Sequence, residues 1–150
     1  MMPVLNLPAF DHKITEIEGK SAIYDIIRRK NIILTPEEWV RQHMLNLLIT
    51  HLGYSKSLMK VESGLKYDRL DKRSDILIYD RKGKPFLLVE CKAPEVKIDK
   101  RAVAQATIYN KTLQAPYVAL SNGINTFCFQ VDWKTGETVQ LKSLPSPINS

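Results

Sequence analysis

Cysteine is scarce in this 150-residue sequence: Cys91 and Cys128 are the only two, and neither sits in a C-x-x-C pair or beside a histidine at ligand spacing. Neither a disulfide framework nor a zinc site is expected, and a reducing, cytoplasmic setting is. No apolar run approaches the ~18 residues a membrane span needs. The opening MMPVLNLPAFDHK lacks the basic and apolar regions of a secretory signal, so no membrane partner is expected. There is no G-x-x-x-x-G-K-[ST] phosphate loop, no Gly-rich dinucleotide loop and no Ser/His/Asp grouping. Internal repeats and low-complexity segments are absent too. The three histidines, His12, His43 and His51, share no ligand spacing and read as surface or packing residues. Aromatics make up 8%, and Trp39 and Trp133 lack the interleaving of a base-stacking platform, so core or edge packing is expected of both.

What is present fits one soluble domain over residues 1–150. Hydrophobic residues are 44% and charged residues 25%, an ordinary globular balance. Lys plus Arg is 22 against 16 acids, giving +6 and a pI near 9.3. That charge is compatible with a nucleic-acid partner and does not establish one, since many basic proteins have no polyanionic ligand. The core is expected over about residues 20–131. Residues 1–13 read as a poorly patterned arm, and Ser143–Ser150, with two prolines, as a frayed tail.

The span from Ile14 to Leu34 is ambiguous, with Ala22–Ile27 readable as strand or helical turn. Thr35-Pro36-Glu37-Glu38 then supplies an N-cap, a first-turn proline, two acids and capping-box spacing. Val40, Met44, Leu47, Leu48 and Leu52 recur at helical period until Gly53, which predicts a helix over about 36–52. Strands are expected at Leu58–Val61, Asp75–Tyr79, Pro85–Lys92, Tyr117–Leu120, Thr126–Val131 and Val139–Leu141, with a second helix at Lys100–Leu113. The continuous apolar runs Ile76–Tyr79 and Phe86–Val89 call for cover on both faces. The order predicts an α/β fold built on a mixed sheet.

The chemistry-bearing grouping is Asp75 with Glu90-Cys91-Lys92. Residues two apart on a strand share a face, about 7 Å apart along the chain. Glu90 and Lys92 therefore project together from the end of a buried strand, and the short intervening turn brings Asp75 alongside. Two carboxylates suit a hard divalent cation such as Mg²⁺ or Mn²⁺, and a nearby ammonium can orient a water or stabilise a phosphorane-like transition state. E-x-K alone is common, and a solvated i,i+2 ion pair would read the same way.

Ser74-Asp75 … Val89-Glu90-Cys91-Lys92 resembles the PD-(D/E)xK nuclease signature, with Ser74 where that motif has proline. Leu34–Gln42, Arg73–Tyr79, Val89–Pro94 and Gln105–Asn110 together resemble, in order, the N-terminal nuclease domain of type I restriction enzyme R subunits. The resemblance implies a restriction-endonuclease-like mixed central sheet flanked by helices, and a metal-dependent DNA endonuclease activity. It implies that Asp75, Glu90 and the Cys91 backbone carbonyl hold the metal and that Lys92 serves the attacking water. Glu38 would be the helical glutamate completing the acidic cluster, although spacing leaves Glu37 open. Gln105 and Tyr109 would match a Q-x-x-x-Y motif that steadies the site or touches DNA; their i,i+4 spacing puts both on one helix face. Two clusters, Arg28-Arg29-Lys30 and Lys97/Lys100/Arg101, could meet phosphates or be solvated faces. With no motor motif present, a stand-alone domain or one depending on a separate motor or specificity chain is expected. The alternative is a non-catalytic nucleic-acid-binding or assembly module retaining the nuclease fold. Oligomeric state and DNA specificity do not follow from the sequence.

Overall fold

The computed structural model describes residues 2–63 and 74–147, and for residues 62, 63, 74 and 75 it describes the backbone. The ambiguous span resolves as strands: β1 (Ile14–Ile17), β2 (Lys20–Asp25) and β3 (Lys30–Ile33) form an antiparallel three-stranded sheet. Its tight turns place Glu18, Gly19 and Arg29 at positive φ, geometry that periodicity does not announce.

The capped helix forms as α1 (Pro36–Asn46), with Thr35 Oγ1 accepting the Glu38 amide at 3.1 Å. It continues as a π-helical turn over Leu47–His51, where Leu52 N donates to Leu47 O, and Gly53 follows at φ +84°. The expected extent of 36–52 therefore holds, with a wider last turn. The reciprocal half of the capping box is replaced: the Glu38 carboxylate turns to Arg28, Arg41 and Gln42.

The second sheet has six strands in sequence order: β4 (Met59–Ser63), β5 (Ser74–Tyr79), β6 (Pro85–Cys91), β7 (Tyr117–Ser121), β8 (Thr126–Val131) and β9 (Thr138–Leu141). All neighbours are antiparallel except β6 and β7, which are joined by the crossover helix α2 (Lys100–Leu113). This mixed sheet with helices is consistent with the restriction-endonuclease-like architecture expected above.

Alternation along the strands assigns each face. Ile76, Ile78, Leu87, Val89, Cys91 and Ala119 join Val40, Met44, Leu45 and Leu48 in one cluster under α1. Leu77 and Leu88 meet Tyr109 and Leu113, while Val118 and Leu120 meet Ala106, all under α2. The two-sided cover explains the unbroken apolar runs of β5 and β6.

Both chain ends differ from expectation. The arm is docked: Leu5 is buried, Pro3 O accepts the Trp39 indole N–H at 2.8 Å, and Asn6 N donates to Gly123 O at 2.7 Å. Through residue 147 the tail is held as well, with Leu144 against the core and Pro145 O accepting the Tyr54 hydroxyl. Both segments bond through backbone carbonyls and amides, which leave no pattern in side-chain sequence. Residues 148–150 of that tail lie outside the described residues.

Candidate active site

Glu90 is the penultimate residue of β6 and 2% exposed. Alternation with Leu88 puts it on the α2 face of the sheet. The extended geometry persists one residue beyond β6, because Lys92 N donates to Ser121 O at 2.8 Å. Lys92 therefore shares the face of Glu90, and its Nζ lies 2.9 Å from Glu90 Oε2. The Glu90 side chain is nearly fully buried and the Lys92 side chain is about one-quarter exposed. Part of Lys92 is thus open to solvent while its partner is enclosed.

In the ladder, Asp75 pairs with Glu90 on one side and Glu62 on the other. Asp75's side chain lies outside what is described, as does Arg73. Cys91 stands between Ser74 and Ser121 in register. The grouping occupies the carboxyl ends of the parallel pair β6/β7, the end of a sheet where α/β folds present ligand sites. A cleft of about 1040 Å³ opens at the opposite end, among Phe86, Tyr117 and the 142–147 segment, far from these acids along the strands.

Glu38 is also buried, near the start of α1. It is 5% exposed, which answers which of the paired acids turns inward, Glu37 being half-buried. Arg28 Nη2 reaches both its oxygens at 3.2 Å, Arg41 Nη1 lies 3.2 Å from Oε1, and Gln42 Nε2 donates to Oε2 at 2.8 Å. Gln42 also donates to Asp25 Oδ2 at 2.9 Å. Asp25, fully buried, accepts the Ile27 and Arg28 amides and the Arg28 guanidinium. Burial alone would raise the Asp25 carboxyl; the Arg28 amide and guanidinium and the Gln42 amide outweigh it and hold the group below its ordinary value. Two carboxylates and two guanidinium groups thus form a charge-balanced quartet between the β2–β3 turn and α1. Among the described residues no set of three His, Cys, Asp or Glu side chains is grouped to hold a metal.

On α2, Gln105 is exposed and Tyr109 packs against Leu77, Leu88 and Ala115 beneath Glu90's face. The quartet is the feature that periodicity did not reveal. Its trace in the sequence is a D-x-x-R turn followed by charged residues at helix positions 38 and 41, both of which fall on a buried face.

The family model for the type I restriction enzyme R protein N terminus matches residues 36–145. The chain belongs to this family. The match begins at the first residue of α1 and ends in the docked tail, so β1–β3, which supply Asp25 and Arg28, precede it. No curated protein and no solved structure matches the chain. Among the described residues no helix is long and apolar enough to cross a membrane.

Proposed function

We propose that this restriction-enzyme-related chain is a Mg²⁺- or Mn²⁺-dependent DNA endonuclease domain of the PD-(D/E)xK type. One observation carries the reading: the buried Glu90 carboxylate bears the Lys92 ammonium at 2.9 Å, with Asp75 opposite Glu90 in the ladder. The donor chemistry fits a hard divalent cation, since Glu90 offers a dry carboxylate, Asp75 brings a second to the same rung, and main-chain carbonyls such as that of Cys91 are oxygen donors. When bound, such an ion offsets charge on a phosphate oxygen and lowers the pKa of a bound water. Lys92 would donate to the attacking water and, as charge accumulates, to the non-bridging phosphate oxygen. Glu90 keeps the ammonium oriented, and the α2 cover over Leu77 and Leu88 excludes water from behind it.

Glu38 enters this reading as a positioning group: releasing it to a metal would take from the buried Arg41 its ion-pair partner and leave Arg28 to Asp25 alone. Gln105 is offered as a DNA contact and Tyr109 as the packing support under Glu90. A separate motor or specificity chain would supply translocation or target choice.

Incubation of supercoiled, linear and branched DNA with Mg²⁺ or Mn²⁺, wild type against Lys92→Ala, tests the proposal. Cleavage by wild type and its loss in a normally folded Lys92→Ala is expected. Equal cleavage by both would remove Lys92 from the chemistry. A second reading, a nucleic-acid-binding module without catalysis, draws on the +6 net charge. It predicts DNA binding indifferent to Mg²⁺ that survives Glu90→Ala.

A further inference from the structure

We infer that the segment running from Lys97 through the exposed face of α2 is the surface on which the DNA backbone lies, delivering a phosphate to Lys92. The inference rests on the nuclease reading for the identity of its polyanion. Four bases, Lys92, Lys97, Lys100 and Arg101, stand against two acids, Glu95 and Asp99, between residues 92 and 105. One of those acids is occupied: Asp99 Oδ1 caps α2 by accepting Ala102 N at 2.9 Å. Lys97, Lys100 and Arg101 are exposed, and among the described residues none of them forms an ion pair.

The segment is also fixed in place at the end of the sheet that carries Glu90. The buried Asn122, in the β7–β8 turn, donates from Nδ2 to Val96 O at 2.8 Å while its Oδ1 accepts the Ile124 and Asn125 amides. Val96 N closes a turn on Ala93 O, and Ile98 packs with Ala102 and Val103 against Ala106, Val118 and Leu120. These anchors hold the loop from within, so its bases face outward on a rigid support. Arg101 and Gln105 follow at i,i+4 on the outer face, extending the line along the helix. By contrast, the other basic run loses its leading member, because Arg28 is committed to Asp25 and Glu38.

Phosphate contacts release condensed counterions, so each one steepens the dependence of binding on salt. The test is fluorescence anisotropy with duplexes of two unrelated sequences, in EDTA, over a KCl series. It compares wild type, Lys97→Ala/Lys100→Ala/Arg101→Ala and, as a charge-loss control at the far end of the sheet, Lys82→Ala/Lys84→Ala. Thermal melts verify that all three fold alike. The triple variant is expected to lose about three units of the log–log salt slope and to weaken equally for both sequences. The control keeps the wild-type slope. A triple variant with wild-type affinity and slope overturns the inference, as does a wild type that binds neither duplex at low salt. If the triple variant loses binding but wild type never cuts, the surface stands and the nuclease reading falls. If wild type cuts and the triple variant binds normally, the reverse holds.

Discussion

Asp25 shows how a single side chain sets the energetics of the interior. Its carboxylate neutralises Arg28 and receives Gln42, so Asp25→Ala would leave two guanidinium groups and the Gln42 amide to share the single Glu38 carboxylate. Breaking a buried pair from one side costs about 3–5 kcal/mol, and urea unfolding of Asp25→Ala is expected to lose that much. The pH dependence has a defined sign. Asp25's folded value lies below the ordinary 3.8, so its contribution is complete above that value and is lost as pH falls through the folded one. His43, under Trp39 and Phe10, is pushed below 6.5, chiefly by burial and partly by His12, against the opposing bond to Trp39 O. Its neutral form is the stable one, so stability begins to fall as pH drops below about 6.5. His43→Gln is expected to flatten the urea midpoint between about pH 5 and 7, whereas a slope unchanged from wild type would refute the assignment. Burial raises the Cys128 thiol to about 11, and Cys91 is equally enclosed. Both should resist alkylation until the chain unfolds.

At the level of elements, the caps matter most. Thr35→Ala removes the side-chain acceptor of α1 and is expected to cost about 1 kcal/mol by chemical denaturation. α2 ends on Gln114 at φ +56°, a left-handed position that a Cβ disfavours. Gln114→Gly should raise stability by about 1 kcal/mol; a loss would show that the Gln114 side chain contributes more than its backbone strain costs. The sequence announced these helices well, because proline, capping oxygens and apolar period are local signals. It left β1–β3 ambiguous, with Ala22–Ile27 readable as strand or helical turn, and Ile14–Ile17 is exposed throughout and carries no alternation of buried and exposed positions. There the pairing itself, Ile14 with Ile23 and Ile23 with Ile32, defines the strands.

Across the molecule, the arm ties α1 to the β7–β8 turn. Gly123 sits at φ +85°, and a Cβ there would meet Leu5 side-chain carbons at 2.8 and 2.9 Å. Gly123→Ala should therefore both strain the turn and lift the arm. The expected readouts are a lower melting temperature and red-shifted tryptophan emission as Trp39 loses its cover. An unchanged spectrum would mean that the arm contributes nothing to burying that indole.

Spacing along the chain by itself determined the strand–turn–strand unit that sets Asp75 opposite Glu90, and the i,i+2 alternation that brings Lys92 to Glu90. Both follow from period-two geometry and a short hairpin, which are properties of neighbouring residues. The family resemblance, drawn from four short segments, agrees with the match over residues 36–145. Only the tertiary structure decided the company Glu38 keeps. Arg28 arrives from a turn ten residues earlier and Asp25 from the end of a strand, and neither the helix pattern nor a motif encodes which charge will be drawn into a buried cavity. Long-range polar pairing depends on where desolvated charges find their counter-charges after folding, and that is fixed by packing across elements, not by period along one.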